Sequence, residues 1–411
     1  MIQAKTLGRQ QGQDRQKNEQ KISLEAKFII SALLMAGLFC YIAHNAGNKF
    51  NNSGMVSSGK LVKDFIRSND KSKIVQGVMI ASLEKRRITP LDPTKKFSFV
   101  HIAKCAGATW LRLLNTVLKL VTCPKAEIGD EFSVFFQKNV YCKDADYTLI
   151  SLRSPRHHVW SQFIMCKYSP WGPNITKGRT EFPRSGNEYE DDEVDFDSWL
   201  SHFMSKGNKT DDDLNCYHPL SMQTRALSSR AHKPFIPYVK GGGAELSPNI
   251  TLAMNTYKDL DFVALVEFVH ESECMLYYRL GNKAPPVALS YLSKSCHCEK
   301  QQVDHKESGN GTVHVQHHNM GKRKSLRDLP PATLSKVANF ISADSVIYVK
   351  ALNFFMNEMA WLESDNALGR RVVCDDVLKK WEPELAYLNG GRFSVTQLYR
   401  DAVMKQQRIM G

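Results

Sequence analysis

Two cationic turns carry the most readable chemistry of this chain. In FSFVHIAKCAGATWLRLL (residues 97–114), Lys104 and the lone Gly107 lie between an apolar run and a segment whose apolar positions Leu111, Leu114, Leu118 and Val121 repeat at helical spacing. Phe97, Phe99 and, after a shift, Val100 and Ile102 read as a buried strand. The loop Ala103 to Ala108 therefore joins the carboxyl end of a strand to a helix N-terminus, where free backbone N–H groups and the helix dipole favour an anion. Lys104 adds a full positive charge, and Thr109 offers a hydroxyl in the first helical turn. A Walker-type loop, G-x-x-x-x-G-K-[ST], sets its lysine after the glycines. Here the lysine comes first, which argues against an ordinary ATPase or kinase.

The second turn lies in YTLISLRSPRHHVWSQFIM (147–165). Ser154 reads as a helix cap and Pro155 as the first helical residue, a standard start signal. Arg153 then stands just before the helix and Ser161 about two turns into it, so both can reach one phosphate, the arginine through bidentate hydrogen bonds. Two anion-seeking strand-to-helix turns in one domain suggest a ligand with phosphate groups at two ends.

These turns need a scaffold, and the chain alternates strand and helix patterns around them. A third β-like run at 261–269 (DFVALVEFV) leads into a helical pattern at 271–280. The predicted fold class is α/β, a central parallel sheet flanked by helices. Residues 181–197 are strongly acidic and read as a solvated loop. The Cys- and His-rich stretch 296–318 matches no standard zinc spacing, so no metal is expected.

The rest of the chain addresses location. Of its 411 residues 42% are hydrophobic and 24% charged, and the formal net charge is +13, which favours an anionic partner of some kind without naming it. The uncharged run Phe28 to Ala43 follows a basic leader. Its sixteen residues would span roughly 24 Å as a helix, close to a thin secretory membrane. We expect a cytosolic tail at 1–27, a single N-terminal transmembrane anchor at 28–44, a luminal stem at 45–93, a folded domain at 94–365 and a C-terminal extension at 366–411. Asn51, Asn174, Asn208, Asn249 and Asn310 each begin an Asn-x-Ser/Thr acceptor triplet, in keeping with a luminal setting. Ten cysteines fit the same compartment. With Cys40 in the anchor an odd number remains, Cys105 being the candidate left over and Cys123 with Cys142 a plausible bridge.

In HIAKCAGATW and LRSPRHHVWSQF the chain resembles the Golgi-type carbohydrate sulfotransferases that use 3′-phosphoadenosine 5′-phosphosulfate. The first is similar to their 5′-phosphosulfate loop, H-I-P-K-T-G-G-T-T/S, and the second to their 3′-phosphate motif, R-D-P-x-x-R-x-x-S-x-[YFW]. SMQTRALS (221–228) and DFVALVEF (261–268) are similar to segments of the heparan sulfate 6-O-sulfotransferase-like branch. The resemblance implies a P-loop-like sulfotransferase fold, with Lys104, Gly107, Ala108 and Thr109 on the phosphosulfate and Arg153 and Ser161 on the 3′-phosphate. It further implies Gln223 and Arg225 lining the acceptor cleft, with Lys104 and a general base in catalysis on the acceptor hydroxyl. Relatives often place that base between the first helix and the 3′-phosphate strand; residues 122–146 contain no histidine there, which leaves Glu127, Asp130 and Glu131, with Glu131, beside Phe132, the first choice and His157 and His158 its rivals. The expected partners are a glycan or glycoconjugate acceptor and, through the anchor, the Golgi membrane, in type II orientation; no nucleic acid is expected. Cys105, Ala106 and Ala108 replace Thr, Gly and Thr of the family pattern, and His158 replaces an arginine. The loop thus loses hydroxyl donors and one residue suited to positive φ. The alternative reading is a catalytically silent glycan-binding or scaffold protein on the same fold.

Overall fold

The computed structural model describes residues 89–123, 133–168, 192–206, 217–230, 248–298, 326–364 and 370–410. The expected anchor at 28–44, the acidic stretch up to residue 191, most of the His-rich stretch, Glu131 and four of the acceptor asparagines lie outside them. Among the described residues no helix is long and apolar enough to cross a membrane.

The described chain is a mixed α/β structure around a small parallel sheet. Strands β1 (Phe97–Val100), β2 (Tyr147–Leu152) and β3 (Phe262–Leu265) lie in the order β1-β2-β3, with Val100 opposite Ile150 and Leu149 opposite Phe262. All four residues of β1 and of β3 are buried, as expected for a parallel sheet covered on both faces. On the outer side of β1, Phe97 pairs in parallel with Thr122. There Phe97 N–H donates to Val121 O at 2.7 Å and Cys123 N–H to Phe97 O at 2.9 Å. The disulfide Cys123–Cys142 ties down this edge, the pairing expected from the sequence.

Helix α1 (Gly107–Arg112) follows β1 and continues as a π-helical turn over Leu113–Val117. Leu111, Leu114 and Leu118 are buried, as their spacing predicts, but Val121 is 52% exposed. The helix has ended by then. Lys119 takes φ 53° and turns the chain into the Thr122 bridge, so the helical period no longer governs Val121. The short α2 (Val134–Phe136) starts at Ser133, whose Oγ accepts from Phe136 N–H. Helix α3 (Pro155–Tyr168) begins at the predicted proline, directly after β2.

Helices α4 (Asp192–Lys206), α5 (Met222–Ser228), α6 (Ile250–Lys258), α7 (Val269–Leu280) and α8 (Pro286–Lys294) follow, with α7 packed on β3. The long α9 (Pro331–Ser364) runs through the core against α3, α4, α5 and α6. Its Asp344 is fully buried and serves as a remote cap for α5. It accepts from Thr224 N–H at 2.7 Å, Thr224 Oγ1 at 2.7 Å and Gln223 N–H at 3.3 Å, where Ser221 supplies no cap of its own. Bonds to an ionised group are among the stronger ones, which fixes α5 relative to α9.

The C-terminal region shares the same core. Helices α10 (Asp375–Leu385) and α11 (Val395–Met410) bury Leu378, Leu385, Val395, Tyr399 and Ala402 in one apolar cluster with α9. Glu363 accepts from Val372 N–H at 2.7 Å, from Val373 N–H at 2.8 Å and from Tyr399 Oη, and Cys298–Cys374 fastens the segment covalently. Cys274–Cys296 joins α7 to the residues after α8. Cys166 is also disulfide-bonded, so Cys105 is the buried thiol outside these bridges. At the other end, Leu91, placed in the stem by the sequence reading, is buried and donates to Arg279 O at 2.7 Å.

Candidate functional site

The way the chain leaves each strand marks one place for a ligand. From β1 the chain passes through α1 to Thr122 on one side, whereas from β2 it passes through α3 towards β3 on the other. Connections that diverge from neighbouring parallel strands leave an opening at their carboxyl ends, the place where open α/β sheets bind ligands. The loop after β1 carries Lys104, and the turn after β2 carries Arg153. Both sequence-predicted cations are thus delivered to the same opening.

The first loop is built under backbone strain. Lys104 and Ala106 adopt φ 63° and 59°, the left-handed region in which a Cβ costs roughly 1–2 kcal/mol per residue. Alanine therefore takes up the positive φ for which glycine is better suited. The one glycine meets a different demand. A Cβ on Gly107 would lie 1.8 Å from His101 Cδ2, so its missing side chain lets the buried His101 ring pack against the start of α1. Ala106 offers no side-chain cap, and the amides of Gly107, Ala108 and Thr109 have no acceptor within the helix. Ala108 is exposed, and Lys104 and Thr109 are partly so, which leaves this cationic, amide-rich turn open to a solute.

The second turn is held from three sides. Arg153 N–H donates to Gln223 Oε1 at 2.8 Å while Gln223 Nε2 donates to Arg153 O at 2.8 Å, so one buried side chain clamps both backbone groups. Ser154 N–H donates to Glu267 Oε1 at 2.8 Å, and Tyr348 Oη donates to the other oxygen at 2.7 Å. Burial raises the pKa of Glu267, and the charge of Arg153 and these bonds offset part of the rise. Burial likewise lowers the pKa of Arg153, with Glu267 opposing. The guanidinium reaches the first loop, where Nη1 donates to Lys104 O at 3.1 Å, and its Nε is a buried donor with no partner among the described residues.

Two further contacts join the turns. His158 Nε2 bonds to Ala103 O at 2.8 Å, and Gln162 Nε2 lies 3.2 Å from His158 Nδ1. Because the amide donates to Nδ1, the proton sits on Nε2, and burial pulls the pKa of His158 down to about 3. This histidine is therefore a neutral strut between α3 and the first loop. Cys105 Sγ donates to Gln223 Oε1 at 3.7 Å, linking the loop to the same glutamine that holds Arg153.

The remaining predicted residues fall in different places. Ser161 is buried on α3, two turns beyond Arg153. Gln223 is 1% exposed and acts on the backbone of Arg153. Arg225 is fully buried, its Nε on Leu220 O at 2.7 Å and its Nη2 on His218 O at 2.6 Å, and burial brings its pKa down to about 10. His157 is neutral through burial, its pKa pulled down to about 3, with Nδ1 3.1 Å from Ser154 Oγ. The sequence reading missed Asp344, Tyr348 and Tyr387. Asp344 and Tyr348 stand one helical turn apart on the face that carries Val337, Ile341, Leu352 and Phe355, a polar pair in an apolar stripe that could have marked them. Tyr387 carries no such signal. No family model, curated protein or solved structure matches this chain.

Proposed function

We propose that the crevice at the carboxyl ends of β1 and β2 binds 3′-phosphoadenosine 5′-phosphosulfate and that the protein transfers its sulfuryl group to a glycan hydroxyl in the Golgi lumen, anchored through residues 28–44. The observation that carries this reading is that the Lys104 loop and the Arg153 turn follow the neighbouring strands β1 and β2 and are joined by Arg153 Nη1 to Lys104 O at 3.1 Å. The resemblance of both turns to the sulfotransferase motifs supplies the donor's identity. The residues fit such a polyanionic donor: Lys104 and Arg153 bring positive charge, the amides at the start of α1 have no acceptor within the helix, and Arg153 Nε is a buried donor with no partner among the described residues.

In this reading the acceptor oxygen attacks sulfur in line, the sulfur–oxygen bond to the donor's phosphate breaks, and the acceptor proton passes to a base. Lys104 and the α1 amides would stabilise charge building on the bridging and sulfuryl oxygens, while Arg153 and Ser161 would hold the 3′-phosphate. Glu131 is the base to test first. His158 is poorly suited, because its basic nitrogen already accepts from Gln162.

The test is titration calorimetry with 3′-phosphoadenosine 5′-phosphate, followed by transfer from radiolabelled donor to a glycan panel. Lys104→Ala should lower transfer by about 10²-fold, the scale of one preorganised oxyanion donor. Arg153→Ala should weaken nucleotide binding by at least tenfold. Nucleotide binding without transfer to any glycan would favour the silent scaffold. Absence of binding to the wild-type protein would overturn the proposal.

A further inference from the structure

The C-terminal segment reaches back to the second cationic turn, 231 residues earlier in the chain between Tyr387 and Arg156. Tyr387 Oη accepts from Arg156 N–H at 3.2 Å and lies 3.3 Å from Ser154 Oγ. The Arg156 guanidinium stacks 3.9 Å above the centre of the Tyr387 ring. Glu384 Oε2 lies 3.5 Å from His157 Nε2, and the edge of Trp381 meets the His157 ring at 5.6 Å between centroids. Ser154, Arg156 and His157 are thus all held by residues of α10 and the turn after it.

We propose that Tyr387 is a positioning residue for the anion site, a latch by which the C-terminal segment fixes the start of α3; this rests on the donor-binding reading above. The Arg156 amide is one of the first N–H groups of α3, which have no acceptor within the helix. An anion bound at this helix end would compete for it. Tyr387 satisfies it instead, which directs an incoming phosphate to Arg153 and away from the helix axis. Gln223 and Glu267 grip the turn from the core, and Tyr387 grips it from the other side. The latch has a firm base, since Cys298–Cys374 and the bonds of Glu363 to Val372 and Val373 hold the start of the segment against α9.

The experiment uses the full chain and two substitutions. Tyr387→Phe removes the hydroxyl but keeps the ring beneath Arg156, and Tyr387→Ala removes both. Hydrogen exchange of the amides of residues 154–158 reports on the turn, and calorimetry with 3′-phosphoadenosine 5′-phosphate reports on the site. Loss of one hydrogen bond to a buried amide should weaken nucleotide binding by about tenfold in Tyr387→Phe, and further in Tyr387→Ala, with faster exchange in both. In turnover the loss should fall on the donor KM, with the acceptor KM unchanged. Faster exchange with unchanged affinity, or neither change, would overturn the role of Tyr387 while leaving donor binding standing. Failure of the wild-type protein to bind the nucleotide would overturn the donor reading and with it this role.

Discussion

Gly107 offers a sharp test of how the first loop is built. Its φ lies outside the region reserved for glycine, so alanine there meets no backbone penalty and even gains helix propensity, by up to about 1 kcal/mol. Space decides the matter instead. An added Cβ would lie 1.8 Å from His101 Cδ2, 2.1 Å from Nε2 and 2.6 Å from Cγ. The ring must retreat by at least about 1.6 Å to reach ordinary contact, and it is 7% exposed in a packed environment with little room to go. Overpacking of this kind costs about 1–3 kcal/mol, enough to outweigh the propensity gain. Gly107→Ala should therefore destabilise by about 2 kcal/mol. His101→Ala alone should cost about 2 kcal/mol through lost packing, on the low side for a large-to-small change. The double variant should fall short of the sum by at least about 1 kcal/mol, because the alanine Cβ enters space that the ring has vacated. Urea unfolding of the four proteins, read by tryptophan fluorescence, measures this directly. Additive costs, or a Gly107→Ala variant as stable as the parent, would refute the steric account.

Three other outcomes follow from the site and its surroundings. Ala106→Gly relieves a left-handed alanine worth about 1–2 kcal/mol but adds unfolded-state freedom of about 0.5–1 kcal/mol, so a net gain of about 0.5 kcal/mol in urea unfolding is expected. Gln223→Ala strips both backbone partners of Arg153 and should cost about 2–4 kcal/mol, whereas a cost below about 1 kcal/mol would show that the clamp does not hold the turn. Burial raises Glu271 to about 7 and Glu273 to about 8, above the 4.5 of an unfolded glutamate, so the native state holds extra protons and loses stability as pH rises through this range. His157, His158 and His218, pulled down to about 3 by burial, act in the opposite sense, but only below their unfolded value of 6.5. Between pH 6.5 and 8 the urea midpoint should therefore fall, and Glu271→Gln with Glu273→Gln should flatten the decline; a wild-type midpoint that rises over this interval would contradict the assignment.

The strands, the α3 start and the Cys123–Cys142 bridge were legible because each rests on local rules: apolar runs bounded by turn residues, proline at the first helical position, and cysteines flanking one connection. Val121 departs from its period because a positive φ at Lys119 ends the helix, and no spacing rule reports φ. Ala106 shows the converse. Its composition suggests a lost left-handed position, yet the surrounding contacts impose that conformation on alanine. The sequence placed Lys104 and Arg153 on separate turns but could not show that one guanidinium touches the other loop, since that contact depends on how β1 and β2 pair. Gln223 and Arg225, two residues apart in one motif, serve different ends: Gln223 grips the Arg153 backbone and Arg225 braces the carbonyls of Leu220 and His218. Spacing two residues apart on a helix sends side chains in different directions, and only the fold decides which faces the site.

Where the cations come from matters less to this crevice than what keeps them in place. Arg153 sits next to Glu267, and a buried pair of opposite charges is stable only when its remaining hydrogen-bonding capacity is met. Glu267 has Ser154 N–H and Tyr348 Oη, so its oxygens are supplied. Arg153 has Lys104 O, with Nε left over. The imbalance falls on the arginine, the member of the pair that also bonds the Lys104 loop. An anion arriving there would meet a donor already stripped of water and held by backbone bonds at both N–H and C=O, so little of its binding energy would be lost to ordering the turn. The supporting residues Gln223, Glu267, Asp344 and Tyr348 come from two helices and the turn after β3, far apart in sequence. Gln223 and Glu267 hold the backbone of the Arg153 turn, while Asp344 and Tyr348 hold Gln223 and Glu267 in turn. Substituting Glu267→Gln would test the point. It preserves the shape but removes the counter-charge, so an anion at Arg153 should bind more tightly even as the protein becomes less stable, whereas weaker anion binding would show that Glu267 orients the guanidinium rather than balancing it.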